Sequence, residues 1–524
     1  MTKPAVEIYD TTLRDGTQQE GISLTVGDKL NVSRLLDGLG VAYIEGGWPG
    51  ANPKDDEFFQ RAKTELELET ATLVAFGSTR RANARADEDP TLASLLAAET
   101  DVVCLVAKSW DYHVEHALRT SNEEAVAMVA DSVAYLRDQG RRVFFDAEHF
   151  FDGYRSNPEF ALAVLRAAND AGAERLILCD TNGGFLGYEV EGTVGEVTEA
   201  IPEAVFGCHF HNDSGMAVSN SVTAVRLGVY QVQGCINGYG ERTGNADLCS
   251  VIPNLALKMG YETIPADRLS KLTTVSHHVA EVINLTLDPH LPYVGTSAFT
   301  HKAGLHTSAL ARRSDAYEHL DPADVGNATR MVVSELAGRS TVVAKAQSHG
   351  VELTPDAAQA IVDRIKELEH EGYQFEAADG SFELLLREAA GWKQDFFKLE
   401  SYRVFVEHRD GDVVAEATVK IFVGDERMVS TREGDGPVSA LDRALRAALG
   451  GHYPELTGIK LTDYRVRDLD SSDGSSARVR VLARHSNGDN DWGTVGVHQN
   501  IIDASWKAVF EGIVLGLLRA SEND

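Results

Sequence analysis

The sequence predicts an α/β protein: a (β/α)8 barrel, a helical connecting region, and a C-terminal α+β domain. Three observations carry this. Strand-like and helix-like runs alternate at roughly 30-residue spacing over the first half of the chain, the pattern of a (β/α)8 barrel. Polar residues gather at the ends of the strand-like runs. From about residue 396 the texture changes to alternating strands followed by helices. A doubly wound open sheet is the competing arrangement. It would not naturally place polar residues at the end of every strand.

The strand candidates are AVEIYD (5–10), AYIEGG (42–47), ATLVAFG (71–77), DVVCLVA (101–107), RVFFDAE (142–148), RLILCDT (175–181), VFGCHFH (205–211) and YQVQGCIN (230–237). Amphipathic stretches such as VGDKLNVSRLLDGLG (26–40) and NEEAVAMVADSVAYLRDQG (122–140) lie between them. Gly40, Gly140, Gly172 and Gly228 stand where helix C-caps need a left-handed residue. These elements set a barrel over 1–275. Residues 276–395 read as mostly helical connecting segments, for example PDAAQAIVDRIKELEHEGY (355–373), interrupted by SAFTHKAGLHTSAL (297–310). Residues 396–524 carry the runs SYRVFVEHRD, VVAEATVKIFV and KLTDYRVRDL, and two strand-then-helix units ending at 434–451 and 493–513. That is an internal duplication, suited to an effector site or to dimerisation.

Composition bounds the function. The chain has 524 residues, 43% of them hydrophobic, enough for one large core and smaller domains. It holds no apolar run long enough for a membrane span, and MTKPAVEIYD lacks the apolar region of a signal peptide, so a cytoplasmic protein is expected. Five cysteines without a CxxC pair read as reduced residues, four of them in apolar strand-like runs. A net charge of −31 argues against nucleic acid and anionic membranes as partners. It suits salt adaptation or simply an acidic, highly soluble enzyme. An anionic substrate would then need a local positive site, such as a metal ion and a few arginines.

The chemistry concentrates at strand ends. His209 and His211 are two apart, so a strand would send both imidazoles to one face. They suit a divalent ion, or else a half-buried polar pair satisfied by backbone and water. Asp15, after strand one, is the best candidate for a third ligand, and two imidazoles with one carboxylate fit Zn²⁺, Mn²⁺ or Co²⁺ better than Ca²⁺. Such an ion polarises a 2-oxo acid, and Arg14 would neutralise the developing alkoxide, unless it is an ordinary surface ion-pair arginine. The loop GYGERTGN (238–245) is neither a dinucleotide fingerprint nor a Walker sequence. Its glycines serve close approach of a large ligand or a tight turn.

Three motifs, Asp10-Thr11-Thr12-Leu13-Arg14-Asp15-Gly16, His209-Phe210-His211-Asn212-Asp213 and Asn237-Gly238-Tyr239-Gly240-Glu241-Arg242-Thr243-Gly244-Asn245, together resemble the 2-isopropylmalate synthase, homocitrate synthase and citramalate synthase family. The resemblance covers nearly the whole chain, and residues 45–55 look most like the citramalate branch. It implies a metal-dependent acyltransferase that condenses acetyl-CoA with a 2-oxo acid, pyruvate first, as a homodimer. Its C-terminal domain would bind an amino-acid effector, isoleucine if citramalate is the product, an end product of branched-chain synthesis. The resemblance assigns Asp15, His209, His211 and the weaker ligand Asn245 to a divalent metal (Mn²⁺, Zn²⁺, Co²⁺ or Mg²⁺). Arg14 would bind the keto oxygen and Thr181 the substrate carboxylate. Glu148 would take a proton from the acetyl methyl, buried at the mouth where a carboxylate is a stronger base. His306 and Tyr317 would assist hydrolysis of the thioester. Gly238, Gly240, Glu241, Arg242 and Gly244 form the expected acetyl-CoA loop. Asp146 departs from the family pattern, where an aromatic or neutral pocket residue is expected. Alternatives are 2-isopropylmalate synthase, then homocitrate synthase, then an acyl-CoA lyase, disfavoured because the loop after strand eight lacks cysteine and Cys235 falls within that strand. A non-enzymatic amino-acid-binding protein is opposed by the intact ligand set.

Overall fold

The computed structural model describes residues 4–302, 309–310, 313–332, 338–409, 412–469 and 478–523. Within it the chain divides into two compact units, one of residues 1–299 with 318–329, the other of 300–317 with 330–524.

The first unit is a closed eight-stranded barrel, each strand paired with the next and the last with the first. Its strands are β1 (Glu7–Asp10), β2 (Tyr43–Gly47), β3 (Thr72–Ser78), β4 (Val102–Lys108), β5 (Arg142–Glu148), β6 (Arg175–Asp180), β7 (Phe206–Phe210) and β8 (Gln231–Gly234). All pairings are parallel. Strand eight ends earlier than its apolar run suggests. Cys235 lies just beyond it, buried, and Asn237 takes a left-handed conformation (φ 59°) that turns the chain into the loop.

Side-chain alternation builds two cores. Tyr9, Tyr43, Phe76, Cys104, Phe144 and Ile177 fill the barrel interior. Their outward neighbours, such as Ile8, Ile44, Val103 and Leu178, pack under the surrounding helices. Helix starts are capped by side chains: Thr25 forms a capping box with Asp28, and Asn52 and Ser121 cap the helices Pro53–Glu65 and Asn122–Asp138. All five cysteines are free and buried.

The second unit carries the duplication. Strands β9 (Thr300–His301) and β10 (Arg330–Met331) form a short parallel pair. Strands β11 (Lys398–Arg409), β12 (Asp412–Val423) and β13 (Glu426–Gly434) make one antiparallel sheet, followed by the helix Pro437–Leu449. Strands β14 (Lys460–Asp468), β15 (Val479–Ser486) and β16 (Asp491–His498) repeat the pattern, followed by the helix Ile501–Asn523. The helices between residues 339 and 389 pack against the second of these sheets. Val342, Ile361, Ile365 and Phe382 share a core with Val495 and Val497 of β16. No described helix is long and apolar enough to cross a membrane.

Candidate active site

Asp15, His209 and His211 meet at the C-terminal mouth of the barrel. Both histidines lie at the end of β7, and the turn after β1 brings the carboxylate to them. The Asp15 Oδ2 atom is 3.2 Å from His209 Nε2 and 3.7 Å from His211 Nε2, all three side chains being buried. Their donor atoms lie close enough together to hold one metal ion. Two further acceptors strengthen the fit. The Asp15 Oδ1 and Asn245 Oδ1 atoms are buried without a hydrogen-bond partner, an arrangement that ordinarily loses free energy unless something fills it. The Asn245 amide nitrogen donates to Tyr239 O at 2.9 Å, which fixes its oxygen as the free end.

The electrostatics agree. Burial alone would raise Asp15, yet the Arg14 guanidinium beside it holds its carboxyl well below the usual range. Burial and the neighbouring His209 push His211 down to about 3, so its ring is neutral, as a metal ligand must be. The surroundings of the two rings differ. The His209 Nδ1 atom lies 3.0 Å from Gln233 Oε1, whereas His211 Nδ1 lies 2.9 Å from Arg242 Nη2. A ring that accepts from arginine at Nδ1 carries its proton on Nε2, so His211 could ligate through Nε2 only after Arg242 releases it. Release leaves no donor stranded. The Arg242 Nη2 group has two protons, and Thr181 O (2.8 Å) and Asp213 Oδ2 (3.0 Å) stand ready.

A cavity of about 590 Å³ opens over this cluster, bordered by Arg14, Trp48, Arg81, Asp146, Glu148 and Thr181 among others. Arg14 is aimed by Glu45 of β2, whose Oε2 accepts from Arg14 Nε at 2.6 Å, and by the Phe76 ring, 3.9 Å below the guanidinium. Glu148 is only half-buried, contrary to the expected burial. What holds it is Lys108, its neighbour across β4–β5, with Nζ 2.6 Å from Oε2. Arg80, Arg81 and Lys108 place positive charge on one wall of a strongly acidic protein. Arg80 is committed to Glu124 and Asp131.

The HMGL-like family profile matches residues 5–279, a homocitrate synthase post-HMGL domain-like profile matches 293–373, and a LeuA allosteric (dimerisation) domain profile matches 376–516. A Streptomyces coelicolor (R)-citramalate synthase is 53% identical over 98% of this chain and 97% of its own length. The chain belongs to the citramalate synthase family. An Aquifex aeolicus (R)-citramalate synthase is 50% identical over 99% of this chain and 98% of its own, and a probable 2-isopropylmalate synthase of Methanopyrus kandleri is 33% identical over 97% of each.

Thr181 borders the cavity, and its hydroxyl accepts from the His149 backbone N–H at 2.9 Å. In the loop 238–245, Glu241 borders the cavity, but the glycines serve the turn. A Cβ on Gly244 would stand 1.9 Å from Gly238 O, and one on Gly240 would stand 2.2 Å from the Asn245 amide nitrogen. Arg242 is turned to Asp213, as close as 2.8 Å, rather than left open for an incoming phosphate. Tyr317 is exposed and belongs to the second unit, and His306 lies outside the described residues. Sequence reasoning missed the roles of Glu45, Lys108 and Gln233. Each is a cross-strand neighbour of a site residue or its direct partner, and only the closed sheet reveals that.

Proposed function

We propose that this enzyme condenses acetyl-CoA with pyruvate and water to give (R)-citramalate and CoA. The observation that carries this is the match to (R)-citramalate synthases along nearly the entire chain. The polar mouth supports it. Asp15, His209 and His211, with Asn245 as a weaker fourth ligand, would hold a divalent cation such as Mn²⁺, Zn²⁺, Co²⁺ or Mg²⁺. When bound, that ion supplies Lewis acidity to the keto and carboxylate oxygens of a 2-oxo acid.

The chain's own residues do the rest. Arg14, fixed by Glu45 and Phe76, presents its guanidinium to the keto oxygen and stabilises the negative charge that grows there. Thr181 stands by the substrate carboxylate. Glu148 accepts a proton from the acetyl methyl group, and the resulting carbanion forms the new bond to the keto carbon. An acetyl thioester is a weak carbon acid, so the base must be held in place, which the Lys108 pair does. Water then cleaves the thioester and releases CoA, the step assigned to His306 and Tyr317 by resemblance. Arg81 at the cavity rim offers charge to the anionic co-substrate. The cavity floor favours a small acceptor. Asp146 puts a carboxyl group there, and a branched apolar side chain would have to cover it.

The LeuA-like domain supports regulation in a homodimer; isoleucine is the inhibitor proposed here, as the end product if citramalate is made. The test of the catalytic reading is thiol release from acetyl-CoA by wild type, His209→Ala and His211→Ala. Wild-type turnover in both variants would exclude this ligand set.

A further inference from the structure

Asp146, expected from the sequence to depart from the family pattern, has a place in the structure. Its Oδ1 atom receives two donors, Cys104 Sγ at 3.2 Å and Gln233 Nε2 at 3.0 Å. Gln233 lies directly across β7–β8 from His209 and is wholly buried. Its other amide atom, Oε1, is 3.0 Å from His209 Nδ1.

The order of donors along this chain is determined. The Cys104 thiol donates to Oδ1, which makes that oxygen an acceptor, and any proton on this carboxyl group would sit on Oδ2. Gln233 must therefore offer Asp146 its NH₂ group, because its carbonyl cannot donate. That leaves Oε1 facing His209, and an acceptor there requires hydrogen on Nδ1. The proton of a neutral His209 ring is thus on Nδ1, and Nε2 keeps the lone pair that faces Asp15. Metal-bound histidines are commonly oriented by such an outer partner. Here the partner is an amide, which by itself fits either way round, and the acid behind it removes the ambiguity.

We infer that Gln233 and Asp146 are positioning residues that hold His209 in its metal-binding tautomer. This rests on the reading of His209 as an ion ligand. Asp146 acts as an acceptor in this chain, so an amide at position 146 can replace it, whereas a hydrocarbon cannot.

The test is Zn²⁺ affinity of the full-length protein, measured by competition with a chromophoric chelator, beside the ¹⁵N spectrum of the Zn²⁺-loaded protein. His209→Ala serves to assign the ring and to check the ligand. Wild type should bind Zn²⁺ and His209→Ala should lose it. Gln233→Leu should bind about 10–100-fold more weakly. Asp146→Leu should also weaken binding, and Asp146→Asn should stay within about 3-fold of wild type on the acceptor argument. The unaltered protein should show His209 protonated at Nδ1, a readout that stands if Gln233→Leu fails to fold. Gln233→Leu binding as wild type does, while His209→Ala does not, overturns the inference, as does a His209 proton on Nε2. Loss in Asp146→Asn equal to that in Asp146→Leu overturns the role of Asp146. Equal Zn²⁺ affinity in wild type and His209→Ala overturns the ligand reading itself.

Discussion

Glu45→Gln tests how Arg14 is prepared. Glu45 is wholly buried and accepts from Arg14 Nε at 2.6 Å and from Tyr9 at 2.9 Å. Burial pushes its carboxyl up, against the pull of Arg14. Glutamine keeps the volume and a carbonyl acceptor but removes the charge. Alanine would be a poorer test, because it also removes the packed volume and the acceptor of Arg14 Nε and Tyr9, leaving buried donors unsatisfied at about 1–3 kcal/mol each. A hydrogen bond to a charged group contributes about 1.5–3 kcal/mol. Two effects then oppose each other. An uncompensated Arg14 attracts the growing alkoxide more strongly, but it is also released towards Asp15, whose Oδ2 is 3.5 Å from Nη1. Misplacement dominates, because Arg14 would lose its aim and compete for a ligand oxygen. The expected result is a fall in kcat/KM of about 10–100-fold, the rate equivalent of that bond, mostly in kcat, together with a higher metal requirement. The assay is thiol release at saturating Mn²⁺, with the melting temperature as a check on folding. A folded Glu45→Gln enzyme within about twofold of wild type, far from the change that such a bond implies, would refute the reasoning.

Glu148→Gln removes the proposed base and should lower kcat by about 10²–10⁴-fold while substrate binding persists; loss of acetyl-methyl exchange with deuterated water would confirm the step. In the second unit, burial depresses His485 from 6.5 to about 4, with both ring nitrogens unpartnered beside Trp492. The unfolded chain therefore takes the proton first. The stability of neutral His485 is complete above pH 6.5 and is lost as pH falls towards 4, about 3 kcal/mol in all. Calorimetry from pH 7 to 4 should show a shallower decline for His485→Phe than for wild type. Isoleucine should inhibit thiol release, and leucine should do so more weakly. A cut after residue 395 should abolish inhibition but also lower the melting temperature, since it uncovers Val342, Ile361 and Ile365.

The barrel was legible because parallel strands are apolar runs with polar ends, and each predicted strand lies within a few residues of the observed one. The HxH pair and Asp15 were legible because strand periodicity and the strand-end rule place them at one mouth. Partnership across the closed sheet was not. Gln233 is 24 residues from His209 and 87 from Asp146 in the chain, and no local pattern links them. Glu148 was expected to be buried, and the structure instead gives it Lys108, because a neighbour in register on the adjacent strand is invisible to periodicity. The loop glycines left two readings open, and only their distances to Gly238 and Asn245 favour the turn. The helical segments before residue 395 read as a connector because their amphipathic pattern does not say which sheet covers them.

The most direct test of the central claim is CoA release from acetyl-CoA with pyruvate, 2-oxoisovalerate and 2-oxoglutarate in parallel, each with Mn²⁺ and with chelator. The account predicts metal-dependent release with pyruvate and little with the larger acids. Release with 2-oxoisovalerate in preference to pyruvate, or release that survives the chelator, would contradict it.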